Sequence, residues 1–195
     1  MQGIPLNERK RLGALLDDRP QTEVMAMIPQ FSQAETDNFV APPAQIPEAL
    51  GVLMFNMERG VNLPEIQEFL RDCPDIQPFD VILANELDDG CARSGNKNTA
   101  RELAQAFGLN YAWGLEFIEL VNDENAKGFH GNAVFSRWPI RRAGVIRLPE
   151  QYNWYFDRQK RIGGRLAVFA ELDVGGQPVG AVSIHLENRT HGAGR

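Results

Sequence analysis

Three polar side chains follow apolar runs of the chain, each where the run ends. Asn56 follows VLMF (52–55), Glu86 follows VILAN (81–85), and His185 follows VGAVSI (179–184). In many α/β sheets the carboxyl ends of the strands line the ligand crevice, so these side chains converge if their strands share a sheet and a direction. Together they suit metal-assisted chemistry on a phosphate. Glu86 would hold a hard cation such as Mg²⁺, Asn56 would orient a water or an oxygen, and His185 would donate to phosphate oxygens or stabilise a leaving group.

Each of these residues also has a purely structural interpretation. Asn56 can cap a turn after a strand, and Glu86 can be a solvated strand end within the acidic segment NELDD. His185 can be a hydrogen-bonded core histidine beside Ser183 and Ala181. The coincidence at three strand ends favours the functional interpretation.

A polar loop, ARSGNKN (92–98), lies between the strand that carries Glu86 and the start of a predicted helix. Arg93 and the backbone N–H groups of this loop are candidates for holding an anion such as phosphate. The alternative is a capped loop, in which Ser94, Asn96 and Asn98 serve the backbone. The sequence leaves both interpretations open.

The elements that must position these residues are predicted from short apolar runs and capping signals. Helices are expected after Asn62, with Pro64 in the first turn, and over a capping box from Thr99 to Glu102 that ends at Gly108. Short connections with turn signals between the later strands favour hairpins, so we predict an α/β chain with a mixed, largely antiparallel sheet. The expected strands are 52–55, 80–84, 111–120, 132–138, 143–148, 165–172 and 178–186.

Residues 1–48 differ from the rest of the chain. Leu12, Leu15 and Leu16 form a short helical stripe, and FVAPPAQIPEAL (39–50) is an extended, proline-containing connector. We therefore predict an N-terminal extension over 1–48 that packs outside the domain, and a catalytic domain over 49–195.

The composition is that of a soluble globular protein. The 195 residues are 43% hydrophobic and 24% charged, and no apolar run approaches the ~18 residues of a membrane span. No secretory signal is evident, and Cys73 and Cys91 lack metal-ligand spacing, which predicts a cytoplasmic protein with reduced thiols. The net charge of −6 argues against a generally basic nucleic-acid surface, although a local basic site stays open.

Five segments, taken in order, carry a family resemblance. The chain from about Leu50 to Arg195 resembles the endonuclease/exonuclease/phosphatase family, which includes deoxyribonuclease I and neutral sphingomyelinases. The resemblance implies a four-layer sandwich of two mixed β-sheets with outer helices, and phosphoester cleavage with Mg²⁺, with Mn²⁺ as the alternative cation. The segments are VLMFNMERG, VILANELDDGCARSGN, FHGNAVFSRWPI, GGRLAVFAEL and VSIHLENRT.

The resemblance also implies roles for individual residues. Glu86 is similar to the family's metal-ligand glutamate, and Asn56 to an asparagine that helps position the metal and the nucleophile. His185 is similar to a histidine that binds the scissile phosphate. Arg165 is similar to an arginine that contacts phosphate in some members, and a solvated strand end is the alternative. Glu187 would join the metal shell or pair with Arg189, of which we prefer the pairing.

The chain departs from the family pattern after His185. It contains neither the Gly-Asp-x-Asn segment nor the Ser-Asp-His segment that supplies the general base, and His191 in the glycine-rich tail is not a candidate for that base. We therefore expect the N-terminal part of the fold with an incomplete second sheet, an exposed apolar face, and no activity from this chain alone. Ser136, Arg137 and His130 are given no catalytic role.

Two functional classes remain open at this point. One is part of a Mg²⁺-dependent phosphoesterase, acting on a phosphodiester or a phosphomonoester. The other is a non-catalytic truncated relative that acts as a binding or orphan fragment. The substrate's identity and the oligomeric state are not predicted, and nucleic acid is a possible substrate that the charge does not favour.

Overall fold

The computed structural model describes residues 1–189 and contains two β-sheets with helices on one side. The α-helices are α1 (Leu6–Ala14), α2 (Gln21–Ala26), α3 (Leu63–Asp72) and α4 (Thr99–Phe107). The strands are β1 (Ala34–Asp37), β2 (Val52–Arg59), β3 (Val81–Asp89), β4 (Asn110–Glu119), β5 (Phe129–Ser136), β6 (Ile140–Arg147), β7 (Arg161–Gly163), β8 (Leu166–Val174) and β9 (Gln177–Ile184). Short 3₁₀ helices occupy Leu15–Asp17, Pro29–Ser32, Pro74–Ile76, Ala92–Ser94 and Trp154–Phe156.

The larger sheet has the strand order β1-β4-β5-β3-β2, and β7 pairs with the far end of β4. Its β2–β3 pair is parallel, and its other pairs are antiparallel. The smaller sheet, β6-β8-β9, is antiparallel throughout. The predicted fold class, a mixed α/β chain with two sheets, is confirmed.

The two sheets pack face to face over an apolar layer. Val134 of the larger sheet and Val168 of the smaller one are both fully buried in this layer. The opposite face of the larger sheet packs against the helices in a separate core cluster, which includes Leu103 of α4 and Phe135. This arrangement places the helices, the larger sheet and the smaller sheet in successive layers.

Exposed apolar side chains mark the outer strands of both sheets. Met54 on β2 is 74% exposed, and Val182 and Ile184 on β9 are 43% and 42% exposed. Both β2 and β9 are edge strands within the described residues. Among residues 1–189, none of the helices combines the length and the apolarity that crossing a membrane requires.

Helix α4 begins and ends as its sequence indicates, with one difference. Its C-cap, Gly108, adopts a left-handed conformation with φ of 59°, as the predicted stop requires. The N-cap is Asn98 and not Thr99, because the Asn98 side chain accepts a hydrogen bond from the Arg101 backbone N–H at 2.9 Å. Thr99 instead donates its hydroxyl to the Asp88 carbonyl at 2.8 Å, which ties the start of α4 to β3.

The N-terminal segment differs from the peripheral extension that the sequence predicts. Strand β1 is an edge strand of the larger sheet and pairs with β4. The segment also contributes side chains to the main core cluster: Ile4, Leu12, Leu16, Val24, Ile28 and Phe31. These buried positions could not be predicted from the sequence, because Pro20 and Pro29 divide the segment into elements too short to show a helical period.

Leu16→Ala is therefore expected to destabilise the whole domain. Leu16 is 3% exposed in the core, so its truncation removes buried methyl groups and leaves a cavity, at a cost of about 2–5 kcal/mol. Urea unfolding followed by circular dichroism measures the loss. The adjacent Leu15 is only half-buried, so Leu15→Ala is the matched control and should lose clearly less. Equal, small losses in both variants would show that the segment is peripheral.

Candidate active site

The site begins at two β-bulges on neighbouring strands. The parallel register of β2 and β3 pairs Asn56 with Asn85, and both strands become irregular immediately afterwards. In these irregularities Glu86 has φ of 60°, and Glu58 and Arg59 have φ of 46° and 68°. Left-handed backbone is unfavourable for side-chain-bearing residues and concentrates at functional sites. The bulges therefore mark this end of the two strands as the candidate site.

Asn56 holds the Glu86 carboxylate. The Asn56 amide oxygen accepts the Glu58 backbone N–H at 2.9 Å, which directs the amide group, and the Asn56 side chain hydrogen-bonds Glu86. The Glu86 backbone N–H donates to the Asn132 amide oxygen at 3.1 Å. Burial raises the pKa of Glu86, but the positive charge of His130 and the Asn56 hydrogen bond outweigh it and lower this pKa. Glu86 is therefore a carboxylate at neutral pH.

His185 reaches Glu86 from the other sheet. The three side chains were expected to converge on the condition that their strands share one sheet, and β9 does not meet this condition because it belongs to the smaller sheet. The two sheets are packed so that β9 lies across β3, where the Ser183 hydroxyl donates to the Ala84 carbonyl at 2.9 Å. The result is a distance of 3.9 Å between His185 Nε2 and Glu86 Oε1. The sandwich brings the side chains together without a shared sheet.

Arg165 fixes the tautomer of His185. An Arg165 Nη1–H donates to His185 Nδ1 at 3.0 Å, so the proton of the neutral ring lies on Nε2, the atom that faces Glu86. Burial lowers the pKa of His185, and the charge of Arg165 adds to this effect against the opposing charge of Glu116. His185 is therefore a neutral donor at its Nε2–H.

The tautomer and the pKa can be measured together. We expect long-range ¹H–¹⁵N spectra at pH 7.5 to show a protonated Nε2 and a bare Nδ1 for His185, with a titration midpoint below the ordinary imidazole pKa of about 6.5. Because the folded-state pKa is depressed, the corresponding stability is present above pH 6.5 and is lost as the pH falls through the folded pKa. His185→Gln assigns the signal. A proton on Nδ1, or a midpoint above 6.5, would contradict this geometry.

Two carboxylates hold Arg165 itself. Its guanidinium donates to Glu116 at 3.1 Å and to Glu187 at 3.3 Å, and it packs over the rings of Phe117 and Trp154. Arg165 is only 9% exposed, so the alternative of a solvated strand end is excluded. The Trp154 indole N–H also donates to Glu187, at 2.7 Å.

Glu187 forms a different ion pair from the predicted one. Its carboxylate pairs with Arg165, whereas the Arg189 side chain pairs with Asp157. The preferred Glu187–Arg189 ion pair is therefore wrong, although the Arg189 backbone N–H does donate to Glu187 at 3.1 Å. The Glu187 carboxylate instead lies against Arg165 and the Trp154 indole, which are its partners in place of Arg189.

Arg93 lies away from Glu86 and His185, in a buried charged cluster. Its guanidinium donates to Asp88 at 2.7 and 2.9 Å and to Glu119 at 3.0 Å. Asp88 is fully buried and also bonds His130 Nδ1 at 2.8 Å. Despite burial, which raises it, these hydrogen bonds lower the pKa of Asp88 to about 2. The two carboxylates already bind the Nε–H and Nη2–H groups of Arg93, so the phosphate contact predicted for Arg93 would have to use its Nη1–H groups and stays a prediction.

The polar loop around Arg93 serves its own backbone. Asn98 caps α4, the Ser94 hydroxyl donates to the Cys91 carbonyl at 3.1 Å, and the Asn96 amide oxygen accepts the Ala126 N–H at 2.9 Å. These contacts correspond to the capped loop, the second of the two interpretations of this segment.

A polar pocket of about 210 Å³ lies beside Glu86. Sequence reasoning missed several of its residues, among them Arg59, Trp154 and Arg161. Arg59 could have been found from the sequence, because it lies only three residues past Asn56 at the end of the same strand. Trp154 and Arg161 lie in a stretch without any regular pattern. The lining residues are Arg59, Glu86, His130, Trp154, Asp157, Gln159, Arg161, Arg165, Asn188 and Arg189.

The charges of this pocket favour an anion beside Glu86. Arg161, Arg165 and Arg189 are each paired with carboxylates. Arg59 differs, because it forms no ion pair within residues 1–189, and its charge helps to lower the pKa of Glu86. Arg59 and the Glu86 carboxylate therefore line one small pocket, and the neutral His185 lies next to Glu86 although it is not one of the lining residues. This arrangement is suited to binding a phosphate group together with a cation.

The side chains around Glu86 meet the minimal needs of one class of divalent cation. Within the described part of the chain, no three His, Cys, Asp or Glu side chains come together as a preformed metal site. Mg²⁺, however, typically binds through one or two carboxylates and takes its remaining ligands from water and substrate phosphate. Glu86, ionised and held by Asn56, fits that minimal role. A closed zinc or calcium site would need more ligands than the described residues offer. His191 lies outside the described residues.

Comparison with known proteins gives matches among solved structures. No protein-family model matches the chain, and no curated protein matches it. An endonuclease/exonuclease/phosphatase from Beutenbergia cavernae DSM 12333 aligns at 22% identity and a TM-score of 0.50, over 69% of this chain and 37% of that structure. A protein of the same family from Leptotrichia buccalis C-1013-b aligns at 18% identity and a TM-score of 0.48, over 71% of this chain and 55% of that one. A 3′ phosphatase from Neisseria, bound to a product DNA hairpin, aligns at 21% identity and a TM-score of 0.35, over 64% of this chain and 38% of that one.

The alignments cover only part of each structure, between 37% and 55% of its length. Of these three, the Beutenbergia structure supports the assignment of fold, in agreement with the resemblance found in the five sequence segments. The chain thus has the fold of the endonuclease/exonuclease/phosphatase proteins, over the portion of that fold which the alignment spans.

Proposed function

We propose that this chain is part of a Mg²⁺-dependent phosphoesterase and that its polar pocket binds the cation and the scissile phosphate. The observation that supports this proposal is the distance of 3.9 Å between His185 Nε2 and Glu86 Oε1, which lie on different sheets. Arg59, which forms no ion pair within residues 1–189, lines the pocket beside Glu86. A phosphate bound in this pocket would meet the Arg59 guanidinium beside the Glu86 carboxylate, with His185 close to Glu86.

In this proposal each side chain has a distinct task. Glu86 holds the cation, and Asn56 keeps the Glu86 carboxylate in place through their hydrogen bond. His185 donates its Nε2–H to a phosphate oxygen, and Arg165 sets the tautomer that makes this possible. Arg165 also lines the pocket, so its phosphate contact stays a prediction. A bound Mg²⁺ would polarise the phosphate and offset the negative charge of the transition state.

Among the arginines that line this pocket, Arg59 is the one whose guanidinium forms no ion pair within residues 1–189. Its guanidinium can form paired N–H···O bonds with a phosphate, which the three neighbouring arginines supply less readily because carboxylates already bind them. The pocket volume of about 210 Å³ suits a phosphate and a small attached group. A small phosphomonoester or phosphodiester is therefore the substrate class that we prefer, and a cytoplasmic location remains a prediction.

Inorganic phosphate is the probe that tests this proposal on the chain itself. We expect calorimetric titration to show phosphate binding that is stronger with Mg²⁺ than without it. Arg59→Gln should weaken binding about tenfold, since a charge-assisted hydrogen bond contributes about 1.5–3 kcal/mol. Arg142→Gln is the matched control, because Arg142 is 72% exposed on the smaller sheet.

The possible results separate the two functional classes. Phosphate binding that depends on both Mg²⁺ and Arg59 supports the phosphoesterase. Binding that needs Arg59 but ignores Mg²⁺ would favour a non-catalytic phosphate-binding relative. An unchanged affinity in Arg59→Gln would overturn the assignment of this pocket.

A further inference from the structure

A second cavity, of about 380 Å³, lies between the N-terminal segment and the end of β6. It is distinct from the polar pocket in character, because its exposed lining is mostly apolar. Arg165 is the one lining residue that this cavity and the polar pocket have in common. The apolar lining residues are Met25, Ala26, Ile28, Pro29, Phe31 and Leu148.

One buried polar group in this cavity lacks a partner. Gln21, at the start of α2, is only 2% exposed, and its Oε1 atom has no hydrogen bond. A buried amide without a partner costs free energy, so such groups normally bond protein atoms or a bound molecule. Gln21 Oε1 is an acceptor, so it would take a hydrogen bond from a donor and does not by itself select an anion.

Arg147 adds a positive charge that no carboxylate neutralises. Its guanidinium donates to the Phe31 carbonyl at 2.6 and 2.8 Å, to the Gly164 carbonyl at 3.1 Å and to the Leu115 carbonyl, and it stacks on the Phe31 ring at 4.8 Å. These bonds use four of its five N–H groups and leave one Nη1–H. Within residues 1–189, Arg147 forms no ion pair, and burial lowers its pKa to about 10.

The surroundings of Arg147 therefore select an anion. Arg165, the second guanidinium in the wall, already has its own carboxylate partners. The acidic residue at the cavity, Glu150, is exposed at its mouth. An anionic group inside would neutralise the buried charge of Arg147, while an attached hydrocarbon would cover the apolar wall.

We propose that this cavity binds an aliphatic carboxylate. The carboxylate would accept the free Nη1–H of Arg147, and the chain would lie along Met25, Ala26 and Leu148. The volume falls in the range of small-molecule sites. The inference does not depend on the proposed phosphoesterase, because it rests on the N-terminal segment and β6.

Octanoate is the probe for this site. Octanol and octylamine are the controls, because they have the same chain length and differ only in the head group. We expect octanoate to raise the melting temperature in a saturable way, octanol to bind at least tenfold more weakly, and octylamine not to bind. Calorimetric titration gives the affinities. Equal binding of the three would overturn charge recognition, and no binding of octanoate at millimolar concentration would overturn the site.

Two variants test the location. Ala26→Trp, at the exposed rim, should fill the groove and reduce octanoate affinity at least tenfold without changing the fold, whereas Ala41→Trp, also exposed but elsewhere, should bind as the parent does. Gln21→Leu removes the unpaired amide, so it should keep or raise the melting temperature. Unchanged octanoate affinity in Ala26→Trp would overturn the proposed location.

Discussion

Replacing Glu86 by glutamine is expected to abolish divalent-cation binding while leaving the protein folded. The change removes the negative charge that a hard cation needs and keeps the volume nearly constant. Glu86 is partly exposed and its partners, Asn56 and Asn132, form hydrogen bonds that an amide can also make. We expect Mn²⁺ affinity, measured by water-proton relaxation, to fall more than tenfold.

A matched variant and an unfolding curve make this result specific. Glu68 is an exposed carboxylate on α3, far from β3 in the chain, so Glu68→Gln should bind Mn²⁺ as the parent does. The urea midpoint of Glu86→Gln should stay close to that of the parent. If Mn²⁺ affinity survives in Glu86→Gln, Glu86 is not the ligand and the proposed function loses its metal site.

Gly131→Ala is expected to destabilise the larger sheet strongly. Gly131 lies on β5 against β4, where an added Cβ would overlap the Gly114 carbonyl oxygen and approach the Trp113 ring to 2.7 Å. Neither obstacle is the free end of a flexible side chain, so the central β4–β5 pair would have to separate. We expect a loss of about 3 kcal/mol or more in the free energy of unfolding, or no soluble protein.

Gly144→Ala is the control for this change. Gly144 is also a strand glycine, on β6, but an added Cβ there meets no atom within 4 Å. Its substitution should leave the urea midpoint the same or slightly higher, because alanine restricts the unfolded chain more than glycine. If both substitutions lowered the free energy of unfolding by similar amounts, the close packing of β4 against Gly131 would not be the cause of the effect there.

The strands and the main site residues could be predicted because each leaves a local signal. A short apolar run followed by a polar residue indicates a strand beside a functional site, and this signal finds Asn56, Glu86 and His185. In the structure β9 ends just before His185, whereas β2 and β3 continue past Asn56 and Glu86 through the bulges. Their proximity depends on more than the strand ends. It results from how the smaller sheet crosses the larger one at Ser183, a tertiary contact that no local pattern encodes.

The remaining residues of the site leave no such signal. Arg161 follows an irregular stretch, and its place in the pocket is set by the pairing of β7 with β4. His130 looked incidental in the sequence, yet its ring lies in the pocket wall, bonded to the buried Asp88. The role of the N-terminal segment was likewise hidden, since its apolar residues are distributed over short elements that find a common core only after folding.

The left-handed bulges imply a conflict between thermostability and activity. Glu86 and Arg59 have φ of 60° and 68°, which side-chain-bearing residues adopt at a cost of about 1–3 kcal/mol each. Glycine would relieve that cost at both positions. A library screened for heat resistance alone should therefore accumulate glycine at these two positions and lose together the two side chains that we propose bind the phosphate and the cation. Engineering a more robust version of this protein should leave both positions fixed and seek its gains in the exposed loops.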